Sequence, residues 1–524
     1  MKKQRIHSSI YLFGLALLAF FIPLSESVPK IIVLILLLNS IIEFNFKQKW
    51  MLLKENKIFL LITLLFFIPV LFLINTENFY IGKYILFNKL PLLILPVIIF
   101  SSEKLTGKKL NIILLLAICG SVVSSCLGFL AFKQLILNVA NDDVRRMSPF
   151  IDRITFSLII GINIFTIIYW LKNKVIKNKF LTVLSVIIMA WFLFYLIKSE
   201  AFTGLFGILI VLVAGIVCFL FKKNSKTSKM PVLLKVFILS AIPVIMIIFS
   251  GISIYNYYTP TTLQNVSKYT KQGNVLNSYY ENKQRANGNF VYWDICEKEL
   301  WENWGKYSNC NLFRVVNGDT IFERTKHGEL YGALLFYLTS KGLQKDAEGL
   351  SKLTSEDIKN IENGEANYKF VGKSGLSRRL YVIIDEFDRY YHSGDPNGKS
   401  LIQRVEYNRI GWQLFKDHFW FGCGTGDMSN VFIQYYASGK SKLLAHNQFL
   451  THNQFLSFFI CYGIFGGLIC CLIWFLPLFF KKAFKNYFFI VFFIIATIAL
   501  FSNEMLETST RVLFVSFYYV LFLK

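Results

Sequence analysis

Charged side chains are scarce in this sequence: 17% of its 524 residues are Asp, Glu, Lys or Arg, whereas 54% are hydrophobic. That balance excludes a water-soluble protein of this size. Acidic residues are scarcer still, with 32 Asp and Glu against 56 Lys and Arg. Because the lysines cluster in short loops between apolar runs, the net charge of +24 reports membrane topology, and no nucleic-acid partner is expected.

Long polar stretches are also few. Apolar runs of roughly 16–22 residues recur instead, and a helix of this length can cross the hydrocarbon core of a membrane. The fold class predicted is an all-α polytopic membrane protein with about twelve transmembrane helices. The first run lacks a small-residue cleavage site, so we expect it to be a retained span. The predicted spans are Ser8–Leu24, Lys30–Phe46, Ile58–Asn75, Tyr84–Ser101, Leu110–Leu130, Arg153–Leu171, Phe180–Ile197, Phe202–Phe221, Val232–Ser253, His452–Leu476, Tyr487–Phe501 and Ser509–Leu523.

The lysines predict the orientation of the chain. They concentrate at residues 2–5 and in every even-numbered connection, and basic short loops stay on the cytoplasmic side. Both termini are therefore expected in the cytoplasm of a bacterial cell, with the long ninth connection in the periplasm. This predicts an inner-membrane protein of three parts: an N-terminal bundle of about nine helices (1–253), a large, mainly helical periplasmic loop domain (254–451) and about three C-terminal helices (452–524).

The long loop lacks the Pro/Gly richness and the shortage of aromatics that mark disorder, so we expect it to fold. Helices are predicted at Cys296–Trp304 and Ser351–Gly364, the second opening with a Ser/Thr cap. The tryptophans of the first segment predict an apolar face against the membrane surface or the bundle. Cys296 and Cys310 either form a disulfide or remain two thiols.

Candidate chemistry concentrates between Ser400 and Gly467. Arg404 and Arg409 lie on a predicted amphipathic helix that ends at a Gly-x-Gly-x-Gly turn, and a guanidinium can clasp phosphate with two prongs. No strand precedes the glycines and no Lys-Ser/Thr follows them, which excludes a nucleotide-binding loop. His452, at the outer end of a membrane helix, can act as a base. Lipid contact for the arginines and plain hydrogen bonding for the histidine are the alternatives.

Two acidic groups are candidates for a divalent cation. Asp385, Glu386 and Asp388 stand together in Ile-Ile-Asp-Glu-Phe-Asp-Arg, and a second pair follows the fifth predicted span at residues 142 and 143. A solvated face, or an ion pair with the neighbouring Arg389, explains the first group more simply. No metal and no cofactor are therefore expected.

The sequence resembles the O-antigen ligase/polymerase family. The resemblance lies in the layout of the spans, the long outer loop, the helix with the arginines, and the Gly-x-Gly-x-Gly and His-Asn-Gln-Phe-Leu motifs. Weaker matches are Arg153-Ile-Thr-Phe-Ser-Leu, Lys89-Leu-Pro-Leu-Leu-Ile-Leu-Pro96 and Glu504-Met-Leu-Glu507-Thr. The resemblance implies a fold like the GT-C lipid-sugar transferases built from membrane helices. It also implies a metal-independent glycosyltransferase that takes a glycan from undecaprenyl pyrophosphate on the periplasmic face.

In such an enzyme Arg153 and Arg404, with Arg409 in support, would hold the pyrophosphate, and His452 would be the general base. His446 begins a second copy of His-Asn-Gln-Phe-Leu and is the alternative base, and Lys89 is an alternative cation. In the turn Lys198-Ser199-Glu200 the family often has Ser-Arg, so this turn is not counted as a phosphate contact.

The implied partners are the undecaprenyl-pyrophosphate-linked glycan, membrane lipids and an acceptor. Lipid A-core, a growing repeat chain and a protein hydroxyl all remain open as acceptors. We favour ligation to lipid A-core because a large folded outer loop suits a bulky lipid acceptor. A flippase or transporter for lipid-linked sugars is the alternative of another class, but the sequence shows neither the internal repeats nor the paired midplane charges typical of transporters.

Overall fold

A computed structural model describes residues 2–133, 135, 147–221, 248–258, 268–316, 319–325, 328–373, 375–398 and 400–524. It is 69% helical with few strands. Most of the predicted span Val232–Ser253 and the acidic pair at residues 142 and 143 lie outside the described residues. The chain divides into two compact units, the first being Met1–Lys229, Tyr407–Ser441 and Gln448–Lys524, and the second Met230–Glu406 and Lys442–Asn447. The predicted division at residues 253 and 451, which concerns membrane topology, stays a prediction.

The first unit is a bundle of helices. Its N-terminal helices are α1 (Lys2–Phe21), α2 (Val28–Ile42), α3 (Phe46–Lys54), α4 (Lys57–Leu71), α5 (Phe79–Lys89), α6 (Pro91–Ser101), α7 (Gly107–Phe132), α8 (Arg153–Lys172), α9 (Lys179–Lys198) and α10 (Phe202–Phe221). After the second unit come α17 (Ser400–Asp417, shared by both units), α18 (Met428–Ala437), α19 (Gln454–Phe475), α20 (Lys481–Phe484), α21 (Tyr487–Ser502) and α22 (Ser509–Leu523).

Six helical segments in the described part of the chain are long and apolar enough to cross a membrane. They are Phe79–Ser101 (α5 with α6), α7, α8, α9, α10 and Gln454–Phe479. The bent pair Val28–Ile42 and Phe46–Lys54, with an angle of 114° between its halves, would make a seventh. Four predicted spans, Ser8–Leu24, Ile58–Asn75, Tyr487–Phe501 and Ser509–Leu523, correspond to apolar helices of only 10–17 residues, so the total of twelve is not confirmed. These helices are Arg5–Phe21, Lys57–Leu71, Tyr487–Ser502 and Ser509–Leu523.

Polar caps fix where many of these helices begin. The Asn, Asp or Thr before the first turn accepts backbone N–H groups through its side-chain oxygen, which satisfies donors that would otherwise be orphaned in lipid. Seven helices of the first unit begin in this way, at Asn56, Asn78, Thr106, Asp152, Asn178, Asn453 and Asn486.

Contacts at the two ends of α22 agree with the alternation that the lysines predict. At its C-terminal end Lys524 Nζ donates to the carbonyl oxygen of Ser102 (2.6 Å), in the lysine-rich fourth connection. Near its N-terminal end Arg511 Nε donates to Asp152 Oδ2 (3.2 Å), in the fifth connection. The fourth and the fifth connections therefore meet α22 at opposite ends.

The second unit has its own hydrophobic core, built around the apolar helix α13 (Leu330–Ser340). Three two-stranded antiparallel hairpins are formed by β1 (Arg285–Ala286) with β2 (Asn289–Phe290), β3 (Phe313–Val316) with β4 (Asp319–Phe322), and β5 (Arg324–Thr325) with β6 (Gly328–Glu329). The remaining helices are α11 (residues 248–258), α12 (Glu297–Trp304), α14 (Ala347–Ser351), α15 (Ser355–Glu362) and α16 (Gly375–Ser393), with a short 3-10 turn at Tyr368–Phe370.

The structure confirms both helices predicted in this region and corrects the role of one. Thr354 and Asp357 form a capping box at the start of α15. Trp304 of α12 is 2% exposed and belongs to the core of the second unit, so it is not part of a face for the membrane or the bundle. The reason is that α13 offers a large apolar surface nearby. Cys296 and Cys310 are both free thiols.

Candidate functional site

His452 precedes Asn453, the cap of α19, and has a left-handed backbone conformation, with φ of +50°. This conformation is uncommon for a residue with a side chain and is kept only where neighbours over-determine it. The rings of Tyr407 and Phe449 lie beside the imidazole, with centroid distances of 5.4 and 6.1 Å. The imidazole is partly exposed, so its position is fixed by aromatic contacts while solvent can reach it.

The residues on either side of His452 are fixed by hydrogen bonds. Thr451 is fully buried, and its hydroxyl donates to Glu504 Oε1 (3.0 Å). Asn453 caps α19 through Oδ1 and donates from Nδ2 to Asn408 Oδ1 on α17 (3.1 Å). The strained position of His452 is therefore held from both sides, and α17 is joined to the start of α19.

Glu504 links this region to the start of α8. It is 9% exposed, and burial, together with the nearby Glu507, raises the pKa of its carboxyl. Arg511 donates to the backbone oxygen of Glu504 (3.3 Å) and to the carboxylate of Asp152 (3.2 Å). Since Asp152 is the cap of α8, a continuous polar path runs from Thr451 through Glu504 and Arg511 to that cap.

Arg153 is the first residue of α8 and follows Asp152. Its Nη1 donates to the backbone oxygen of Ser199 (2.8 Å), in the turn after α9. Ser199 is fully buried, and Glu200 beside it has φ of +52°. This turn orients the arginine through a carbonyl oxygen.

Lys89, the last residue of α5, is 1% exposed, and its Nζ lies 2.9 Å from Glu507 Oε1. Gln454, the first residue of α19, donates to the same oxygen (2.8 Å) and accepts the backbone N–H of Leu506 (2.7 Å). No partner for Lys89 was predicted, and the structure places one, Glu507, in the connection between α21 and α22.

The Gly-x-Gly-x-Gly turn packs against a break in α19. Gly463 has φ of +63° inside α19 and interrupts it. Backbone N–H groups of Cys423 and Gly424 donate to the carbonyl oxygens of Ile460 and Cys461 (2.9 Å each), and Ile464 N–H donates to Phe419 (2.7 Å).

Each glycine of the turn is required by close packing. A Cβ at Gly422 would overlap the backbone of Cys461, and one at Gly424 or Gly426 would overlap the backbone at Asn75 or Asn78. Asp427, after the glycines, accepts the N–H groups of residues 77 and 78 (2.7 and 2.9 Å). The turn is thus a packing element that joins α4, α5 and α19.

The other candidate residues lie on α17 and just before α19. Arg404 is partly buried in the part of α17 that belongs to the second unit, and Arg409 is exposed in the part that belongs to the first. Asn408, which contacts Asn453, follows Arg404 by one helical turn. His446 is exposed in the short 3-10 helix Ala445–Asn447 of the second unit.

The acidic residues of α16 form internal contacts of the second unit. Asp385 accepts hydrogen bonds from Arg389 (2.7 Å) and from the hydroxyl of Tyr257 (2.8 Å). Asp385 and Asp388 are 2% and 4% exposed, so the solvated face is wrong and the ion pair with Arg389 is confirmed. Among the residues that the structure describes, no group of three or more His, Cys, Asp or Glu side chains could hold a metal ion.

Sequence reasoning missed the residues that support His452 and Arg153. Glu504 and Glu507 belong to a motif of the family resemblance, but the sequence suggested no role for them. Asp152 and Arg511 were not predicted to take part. The available signal was the presence of four ionisable residues beside strongly apolar helices, where a charge is costly unless it has a partner or a function.

The described residues thus contain six helical segments that are long and apolar enough to span a membrane, and a cluster of hydrogen-bonded polar groups around the starts of α8 and α19. The family model described as O-antigen ligase matches residues 357–471, and the chain therefore carries a domain of the O-antigen ligase/polymerase family. The match supports glycan transfer of the ligase or polymerase type, with lipid-linked donor and acceptor substrates, in a bacterial membrane protein. A comparison with curated proteins found no match.

Proposed function

We propose that this protein transfers a glycan from undecaprenyl pyrophosphate to an acceptor hydroxyl on the periplasmic face of the bacterial inner membrane. The observation that carries the proposal is the polar path from Thr451 through Glu504 and Arg511 to Asp152. This path joins the residue before His452 to the residue before Arg153. The same hydrogen-bonded network therefore supports the proposed base, His452, and the proposed cation, Arg153. The order of these segments in the chain is typical of the family.

His452 is the proposed general base. Its imidazole accepts the proton of the acceptor hydroxyl while the hydroxyl oxygen attacks the anomeric carbon of the donor sugar. The bond between that carbon and the pyrophosphate oxygen breaks, and the electron pair leaves with undecaprenyl pyrophosphate. The products are the glycosylated acceptor, the lipid pyrophosphate and a protonated imidazole that returns its proton to water.

Arg153 and Arg404, with Arg409 in support, are the proposed cations that stabilise the leaving pyrophosphate. Charge increases on the pyrophosphate oxygens as the bond breaks, so fixed guanidinium donors stabilise the transition state more than the ground state. The hydrogen bond from Arg153 to the backbone of Ser199 holds the guanidinium in place.

Glu504 is proposed to position the base. Its carboxylate accepts hydrogen bonds from the hydroxyls of Thr451 (3.0 Å) and Ser457 (3.3 Å), one before and one after His452. These bonds fix the chain on both sides of a residue whose backbone is strained. Glu504 thus acts through the orientation of the imidazole.

Ligation to lipid A-core is the proposed reaction among those open to the family. The second unit supports it, because residues 268–356 precede the family match and contribute to a separate hydrophobic core. A folded mass of this size on the periplasmic side suits a bulky amphiphilic acceptor better than a single hydroxyl on a flexible chain. Polymerisation of repeat units and transfer to protein use the same donor chemistry.

The test is transfer by the purified full-length protein in lipid nanodiscs. The donor is a glycan linked to undecaprenyl pyrophosphate, and lipid A-core, a lipid-linked repeat unit and an acceptor protein are supplied in turn. We expect product with lipid A-core. Product only with the repeat unit or the protein reassigns the acceptor, and no product with any of the three rejects glycan transfer by this chain.

A further inference from the structure

A polar cleft of about 370 Å³ opens in the second unit, between the segment that leads into β1 and the end of α16. The residues that line it are all polar: Glu281, Asn282, Lys283, Gln284, Ser393 and Asp395. Four of the six precede the family match at residues 357–471, so membership of the family does not account for this cleft. A cleft of this volume accommodates a ligand the size of roughly two sugar rings.

The two walls of the cleft are fixed to each other. Arg285, the residue after Gln284, contacts the imidazole of His392. His392 precedes Ser393, whose hydroxyl oxygen accepts the backbone N–H of Asp395 (3.2 Å). Because these contacts lie within one compact unit, the cleft is formed in advance and a ligand need not order its walls.

Several polar groups of the cleft are available to a ligand. The Glu281 carboxylate, the Lys283 ammonium and the Gln284 amide make no hydrogen bond or ion pair with another described residue. The carboxylate only accepts hydrogen bonds, the ammonium only donates them, and the amide does both. The ligand that fits them must therefore carry groups that donate as well as accept.

The balance of charge in the cleft excludes other classes of ligand. Among the described lining residues two carboxylates, Glu281 and Asp395, face one ammonium, Lys283, which disfavours phosphate and other anions. A metal ion would need more ligands than two carboxylates, and the described residues contain no such group. An apolar ligand would take water away from polar groups without replacing its hydrogen bonds. A saccharide satisfies them all, because each of its hydroxyls donates and accepts.

Two exposed tyrosines adjoin the cleft in the chain. Tyr280 directly precedes Glu281 and is 66% exposed, and Tyr391 lies two residues before Ser393 and is 85% exposed. Each ring is held by a neighbouring ring, with a centroid distance of 5.1 Å in both cases. A tyrosine ring in this setting offers apolar surface to the C–H face of a sugar while its hydroxyl stays in water.

We propose that this cleft binds a saccharide of the transfer reaction, either the core oligosaccharide of the acceptor or the glycan of the donor. Sugar hydroxyls donate to the Glu281 carboxylate and pair with the Gln284 amide, and the Tyr391 ring covers a C–H face. The inference takes its class of ligand from the proposed function, and it extends that function by giving the second unit a binding site of its own.

The test measures saccharide binding to the purified full-length protein in lipid nanodiscs, with no lipid-linked donor present and no turnover. The probes are the oligosaccharide released from lipid A-core and the glycan released from the donor. We expect Glu281→Ala to raise the Kd of the bound probe at least about tenfold, because a hydrogen bond to a charged group is lost. Tyr391→Ala should raise it as well. Glu302→Ala, which removes an exposed carboxylate from α12, is the matched control and should leave the Kd unchanged.

Binding of the core oligosaccharide assigns the cleft to the acceptor, and binding of the released glycan assigns it to the donor. Binding of neither probe, or a Kd that neither Glu281→Ala nor Tyr391→Ala changes, overturns the proposal. The result is separable from that of the transfer assay. Saccharide binding without any glycan transfer rejects the proposed function alone, whereas glycan transfer without saccharide binding rejects the cleft alone.

Discussion

Lys89 Nζ lies 2.9 Å from Glu507 Oε1, and the two residues are separated by 418 positions in the chain. The lysine is the last residue of α5, and the glutamate lies just before α22. Their ion pair, shared with Gln454, holds the start of α19 against α5 and α22. Because Gln454 is two residues after His452, the position of the proposed base depends on this ion pair, in which Lys89 is buried and Glu507 is partly buried.

Removal of one partner of this pair should destabilise the protein strongly. Lys89→Met leaves the Glu507 carboxylate without its cation, at an expected cost of about 3–5 kcal/mol. The double variant Lys89→Met with Glu507→Gln leaves no unpaired charge and should recover much of that loss. Thermal unfolding in detergent measures both, and equal losses in the single and double variants would contradict a direct ion pair.

The two copies of His-Asn-Gln-Phe-Leu provide a matched pair of variants for the base. His452→Ala should lower the rate of glycan transfer by roughly 10²–10⁴-fold while membrane insertion and abundance stay unchanged. His446→Ala changes an exposed turn and should retain activity. The reverse result assigns the base to His446, and full activity of His452→Ala removes the proposed base.

Arg404 tests whether a forked cation is needed. Arg404→Lys keeps the charge but loses the two-pronged geometry, and we expect transfer to fall by at least about tenfold. Arg409→Lys, further along the same helix, should have a smaller effect. Turnover of Arg404→Lys at the wild-type rate would show that this arginine contacts lipid headgroups.

Glu504 should influence both activity and the pH dependence of stability. Its raised pKa means that the folded protein binds this proton more tightly than the unfolded chain does. Its contribution to stability therefore falls as the pH rises above the ordinary value of 4.5. Melting temperatures measured from acidic to neutral pH should decline less steeply in Glu504→Gln than in the wild type.

The same site separates a positioning role from a purely structural one. Glu504→Gln retains an oxygen that can accept from Thr451, so kcat should stay close to that of the wild type. Glu504→Ala leaves both hydroxyls without this acceptor and should lower kcat with little change in KM. Equal kcat values for the two variants would reject the positioning role.

The break in α19 gives a stability prediction with an internal control. Gly463→Ala requires a side chain at φ of +63°, in overlap with the backbone of Trp420, and should cost at least about 2 kcal/mol. Gly215→Ala is made in α10 with open space around the new Cβ, and it should be neutral or stabilising. Similar melting temperatures for the two variants would contradict the observed conformation of Gly463.

The sequence predicted many helices well because their hydrophobic length and their capping residues are visible within a short stretch of the chain. Hydrophobic length indicated α7, α8 and α10, and the Thr354 cap predicted the start of α15. The number of spans was harder to predict, because α4, α21 and α22 are apolar yet only 15 or 16 residues long.

The candidate site was only partly readable from the sequence. Arg153 and His452 stand beside helix starts, which the sequence shows. The residues that hold them, such as Glu504 and Arg511, come from segments far away in the chain. No pattern of residue spacing in the sequence shows that these segments are in contact. The glycines of residues 422–426 were recognised as a turn, but the break at Gly463 that they fit depends on a contact between segments far apart in the chain.

That contact sets an order of assembly during synthesis. The N–H groups of Cys423 and Gly424 find their acceptors at Ile460 and Cys461, which leave the ribosome later. The turn cannot adopt its final conformation until α19 has been inserted, and α19 cannot keep its interruption in lipid without the turn. A chain released early, before α19 is made, would leave these amide groups without their native acceptors.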